Sequence, residues 1–91
     1  MELIAHRLNK ISEIKKLSKK YGAEIDLRSS GSKIILHHDP YKKGEKLENY
    51  LSNYNHGTLI LNIKESGIEK DAIKIIKKFD FKNYFLLDVE M

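Results

Sequence analysis

The sequence predicts an α/β chain of parallel β/α units: about four parallel strands, with a short extended arm after the second. Three observations lead there. Short apolar or β-branched runs alternate with segments of helical period; no repeat, low-complexity run or linker interrupts the alternation; and polar residues stand at the carboxyl ends of the strands.

Leu3, Ile4 and Ala5, ending in His6 and Arg7, form a run too short for a helix and placed like a buried strand. From Ile11 the residues Ile11, Ile14, Leu17, Ser18 and Tyr21 recur at three or four with lysines between. They predict an amphipathic helix that stops at Gly22, where a helix cap asks for positive φ. Ala23 to Leu27 reads as the second strand, with Glu24 and Asp26 on one face. The turn-rich Ser29, Ser30, Gly31 and Ser32 lead into Lys33 to His38, a hairpin-like arm ended by Asp39 and Pro40.

Leu47, Tyr50, Leu51 and Tyr54 have the spacing of one helix face. Thr58 to Ile63 is β-branched and apolar and gives the third strand, with Asn62 and Lys64 on one face at its end. Ser66 and Glu69 have capping-box spacing, and Ile68, Ala72, Ile75, Ile76 and Phe79 then keep helical period. Tyr84 to Val89 closes the order as a fourth strand, which carries Asp88. This order is that of right-handed crossover units. Four parallel strands do not close a barrel, which takes eight strands and about 250 residues. The expectation is therefore one partial domain over residues 1–91, a half-barrel or fragment. Its open edges would be met by the remainder of the barrel or by a second copy in a homo-oligomer.

Composition narrows the function. Of 91 residues, 41% are hydrophobic and 33% charged, the balance of a packed globular chain. With no cysteine there is no disulfide framework, thiolate metal site or cysteine nucleophile. The net charge of +4 comes from lysines such as Lys15, Lys16, Lys74 and Lys77, spaced as a solvated helix face with few aromatic residues between them. No nucleic-acid partner is expected. His6 and Arg7 break the first apolar run well short of signal-peptide or membrane-span length, so the expectation is a cytoplasmic protein without a membrane span.

In parallel α/β folds the strands' carboxyl ends gather the site. Here those ends hold His6, Arg7, Glu24, Asp26, His38, Asn62 and Lys64. A carboxylate pair on a buried strand is costly unless it binds a cation or pairs with a base such as Arg7 or Lys64. His6 and His38 are candidates for an acid and base pair, since imidazole titrates near neutral pH. Arg7 suits bidentate grip on a phosphate, and Lys64 supplies a point charge. His37 faces away from His38 by strand alternation and His56 sits in a turn, so neither is placed in the site.

His6 and Arg7 after a first strand, Gly22-Ala23-Glu24-Ile25-Asp26 in the second, Ile34 to Asp39 after a polar turn and Leu61-Asn62-Ile63-Lys64 in the third follow one another in an order that resembles the glycerophosphodiester phosphodiesterase family. The resemblance implies a TIM-type barrel like that of the phosphatidylinositol phosphodiesterases, of which this chain would be the amino-terminal half. It implies a phosphodiester hydrolase of lipid metabolism, with Glu24, Asp26 and Asn62 holding a divalent metal, Mg²⁺ or Ca²⁺. His6 and His38 would be the catalytic acid and base, and Arg7 and Lys64 would bind the phosphate of a small phosphodiester or sugar phosphate. Asn62 stands where that family has a glutamate, and the stretch from Asp39 to Leu47 is shorter than the family's. The alternative implied is a non-catalytic phosphate- or sugar-phosphate-binding remnant.

Overall fold

The computed structural model of the chain describes residues 3–37, 44–81 and 83–87; His38 and Asp88 lie outside them. In chain order the elements are β1 (Ile4–Ala5), α1 (Ile11–Lys16), β2 (Gly22–Ser30), β3 (Lys33–Leu36), β4 (Glu45–Lys46), α2 (Leu47–Ser52), β5 (Leu59–Ile63), α3 (Glu69–Lys78) and β6 (Tyr84–Leu87). They build one mixed six-stranded sheet in the order β4-β3-β2-β5-β6, with β1 also paired to β2.

The expected TIM-type barrel fragment is not what the chain forms. Where a helix intervenes the pairing is parallel, β1 with β2, β2 with β5 and β5 with β6, but β3 runs antiparallel to β2 and β4 antiparallel to β3. The cause is the nine-residue length of β2. Its first residues pair with β1 at Gly22 and Ala23, and its last four with β3 from Leu27 to Ser30, so one edge of β2 serves two neighbours of opposite direction. Gly31 makes this possible. It occupies the first central position of a two-residue loop at φ 63°, the conformation a tight hairpin asks for there.

All three helices lie against one face of the sheet. Ala23, Ile25 and Leu27 of β2 and Leu59, Leu61 and Ile63 of β5 form a buried cluster with Ile14, Leu47, Tyr50, Leu51, Tyr54, Ile68, Ala72 and Ile76. The other face carries the alternate residues, in register as Glu24, Ile60 and Phe85 and as Asp26, Asn62 and Leu87. Phe85 and Leu87 are exposed there. No helix among the described residues is long and apolar enough to cross a membrane.

Some local expectations change. The first helix ends at Lys16, because Leu17 is extended (ψ 137°) and the chain returns to the sheet through a turn in which the Tyr21 N–H bonds the Ser18 carbonyl. Gly22 is therefore the first residue of β2 and not a helix cap. At the start of α3 no side-chain cap bond forms at Ile68, and Glu69 accepts from the N–H of Gly67 instead of closing a box with Ser66.

Tyr50 joins the core to the sheet's upper end, its hydroxyl donating to the Leu8 carbonyl at 2.6 Å. Burial chiefly, and then the neighbouring Tyr54 hydroxyl and the carboxylates of Glu13 and Glu45, push its phenol far above the ordinary value. In the unfolded chain it ionises near pH 10. Its contribution is therefore complete below that pH and is lost as pH rises further, by about 1.4 kcal/mol per unit. Urea denaturation between pH 9 and 11 should show a steeper loss of stability for the wild type than for Tyr50→Phe. At neutral pH the variant should be weaker by about 1 kcal/mol for the missing hydrogen bond. Parallel pH curves would contradict the assignment.

Candidate functional site

The site follows from the fork in the edge of β2. Strand β1 leaves it after Ala5, and Arg7 then takes φ 51°, a left-handed conformation uncommon for a residue with a side chain. The chain touches β2 again where the Leu8 N–H bonds the Glu24 carbonyl at 2.9 Å. Strand β3 arrives from the other end, its last ladder bond running from the His37 N–H to the Asp26 carbonyl at 3.0 Å. Between the two neighbours the Asp26 N–H has no strand to bond. The Asn9 side chain fills the gap, its Oδ1 accepting the Asp26 N–H at 2.8 Å and its Nδ2 donating to Asp26 Oδ2 at 2.9 Å.

Asp26 lies on the helix-free face and is nonetheless fully buried. Its other oxygen, Oδ1, accepts from Asn62 Nδ2 at 3.3 Å and lies 3.9 Å from the ammonium of Lys64. Residues from two separate segments, Asn9 on one and Asn62 and Lys64 on the other, thus converge on one carboxylate. Two residues earlier, Glu24 Oε1 meets His6 Nδ1 at 3.3 Å, with the imidazole largely exposed. On the other side of Asn9 a cavity of about 650 Å³ is lined by Arg7, Lys10, Glu13, His37 and Glu45 as well as Asn9. The Glu45 carboxylate accepts the Ile11 N–H and so caps α1 from a distant strand.

The structure therefore brings His6 to Glu24, and Asn62 and Lys64 to Asp26, as pairs, with Arg7 on the cavity next to Asn9. His38 lies outside the described residues. His56 is remote from the site, with Nε2 on the Leu17 carbonyl at the opposite ends of the strands. Asn9 is the residue that sequence reasoning passed over. It lies just ahead of α1, which begins after Lys10, and its amide turns to Asp26.

A divalent cation is the group the sequence pattern implies here. Hard cations take six or more oxygen ligands. Among the described residues no three His, Cys, Asp or Glu side chains are grouped to hold a metal. The Asp26 oxygens face two amide donors and an ammonium, and Asn62 presents its N–H rather than its carbonyl oxygen. This donor set suits an internal cation better than a metal ion.

No family model matches the chain, and no curated protein or solved structure does. Family and activity therefore rest on the residues themselves.

Removing the Asn9 side chain should loosen the fork. Asn9→Ala orphans the Asp26 N–H and one carboxylate oxygen, and a loss of about 2 kcal/mol in unfolding free energy is expected. An unchanged denaturation midpoint would show that water replaces the amide without cost.

Proposed function

We propose that this chain is a phosphate-ester-binding module, in which Arg7 and Lys64 take the phosphate. The observation that carries the reading is the convergence on Asp26. Asn9, Asp26 and the pair Asn62 and Lys64, from three stretches of sequence, meet there, and Arg7 stands at the cavity that Asn9 also lines. A guanidinium offers two parallel donors to phosphate oxygens and an ammonium a compact charge. The adjacent cavity has room for the esterified group, a small alcohol or a sugar, which neighbouring Glu13 and Glu45 can meet through its hydroxyls.

Calorimetry with glycerol 3-phosphate tests this. Arg7→Ala should weaken binding about tenfold or more, the loss of roughly one charge-assisted contact, while leaving the melting temperature within about 2 °C, since Arg7 is exposed. Binding equal in wild type and Arg7→Ala would remove Arg7 from the site.

One observation favours turnover as a second reading: Glu24 holds the His6 ring by Nδ1 and leaves its other nitrogen toward solvent. With His6 and His38 as acid and base, water attacks phosphorus and gives its proton to one imidazole. The bond from phosphorus to the leaving oxygen breaks, and that oxygen takes a proton from the other. Hydrolysis of bis(4-nitrophenyl) phosphate with a bell-shaped pH profile, lost in His6→Ala, would establish it. No hydrolysis above that variant leaves the binding module.

A further inference from the structure

We propose that Lys64 is the resident cation of this site, standing beside Asp26 where a divalent metal would otherwise be needed, so that a phosphate ester binds without metal. The inference rests on the phosphate-ester reading above and deepens it.

Three features of the site lead to it. First, Asp26 is the described residues' one fully buried ionisable carboxylate, and an ionised carboxylate removed from water needs a positive partner or a full set of donors. Asp26 has both, two amide N–H groups and the Lys64 ammonium at 3.9 Å. A metal ion would have to displace these before reaching an oxygen. Second, Lys64 is held in place by its backbone. Its N–H bonds the Leu27 carbonyl at 3.0 Å and extends the β2–β5 ladder one residue past β5. Third, the Lys64 side chain is 18% exposed against 0% for Asp26, so it reaches solvent where the carboxylate does not. Of its three N–H donors one can face Asp26, and the others remain for an anion arriving from outside.

Asn62 fits the same logic. A neutral amide at that register position adds a donor to Asp26 and no further negative charge, so a single ammonium balances the cluster. A second carboxylate there would leave a net negative charge that one lysine does not offset, and would call for a divalent ion.

The experiment uses the whole chain and inorganic phosphate, titrated by calorimetry first with chelator and then with millimolar Ca²⁺ or Mg²⁺. Phosphate should bind in chelator, with its Kd changed less than about threefold by either cation. Lys64→Gln should weaken that binding by about tenfold or more, and Lys64→Arg should retain most of it. If Lys64→Gln fails to fold because Asp26 is left without its cation, the neutral pair Asp26→Asn, Lys64→Gln serves instead, and it too should lose the phosphate. Phosphate binding that needs a divalent cation, or is tightened tenfold by one, overturns the inference and leaves the phosphate-ester reading standing. Retained affinity in folded Lys64→Gln also overturns it. Absence of phosphate binding under every condition removes the phosphate-ester reading itself, and the inference with it. Asn62→Asp is the converse arm: it should create a response to Ca²⁺ that the wild type lacks, and no such response would count against the charge-balance argument.

Discussion

Asp26→Ala is expected to lower the unfolding free energy by about 3 kcal/mol or more, and the melting temperature by more than about 10 °C. The carboxylate receives two side-chain N–H donors, at 2.9 and 3.3 Å, and charge-assisted bonds of this kind contribute about 1.5–3 kcal/mol each. Truncation also leaves the half-buried amides of Asn9 and Asn62 facing a small void. The Lys64 ion pair is left out of this sum, because at 3.9 Å it is a longer contact than the two hydrogen bonds. Asp26→Asn keeps the shape and one acceptor but opposes an amide N–H to those of its neighbours. Its loss should be smaller than that of alanine and still above about 1 kcal/mol. Urea denaturation of the three proteins measures both differences, and an alanine variant as stable as wild type would show that the convergence on Asp26 contributes nothing to the fold.

Asp26 also shows how far a sequence carries. Strand alternation put Glu24 and Asp26 on one face, and the structure pairs them with Ile60 and Asn62 across β2 and β5. What stabilises Asp26 was only partly visible. A base such as Lys64 was one of the partners the pattern offered, but Asn9 was hidden, because its role depends on a fork in the sheet that no local pattern encodes. The helical faces were legible for the opposite reason. Leu47, Tyr50, Leu51 and Tyr54 are all buried, as their spacing requires, and so are Ile68, Ala72 and Ile76. Periodicity reports which side of an element meets the core, and that is a local property.

Sheet topology is not local. The run from Lys33 reads as extended in either account, yet whether it stands apart or enters the sheet depends on the length of β2 beyond β1. The extra residues Leu27 to Ser30 gave β3 an edge to join, and the parallel barrel unit became a mixed sheet. Strand β4 was invisible for a related reason, since two residues paired at Ile35 and Leu36 leave no periodic trace. Leu17 and Tyr21 keep the spacing of a helix face, which predicts a longer first helix, while the backbone around them leaves the helix at Lys16.

Gly22 separates two explanations of one residue, and its substitution should have the other large effect. A helix cap at positive φ would accept asparagine nearly as well as glycine. The structure gives a steric reason instead: a Cβ on Gly22 would lie 2.4 Å from the Thr58 carbonyl oxygen and 2.5 Å from Ile4 Cδ1. The isoleucine methyl can rotate away. The Thr58 oxygen cannot, because it accepts the Ala23 N–H at 3.0 Å and so belongs to the ladder between β2 and β5. Any side chain at position 22 must therefore push those two strands apart beside the most buried part of the sheet. Gly22→Ala should cost about 2–3 kcal/mol, and Gly22→Val should cost more, because its two γ-carbons add to the same overlap. Gly22→Asn should be at least as harmful as alanine. Gly31→Ala is the control, since nothing lies within 4 Å of its added Cβ and the penalty is that of φ 63° alone, about 1–2 kcal/mol. Chemical denaturation of the four variants decides between the explanations: a Gly22→Asn protein as stable as wild type would mean that the glycine is there for its backbone freedom and not for the approach of β5.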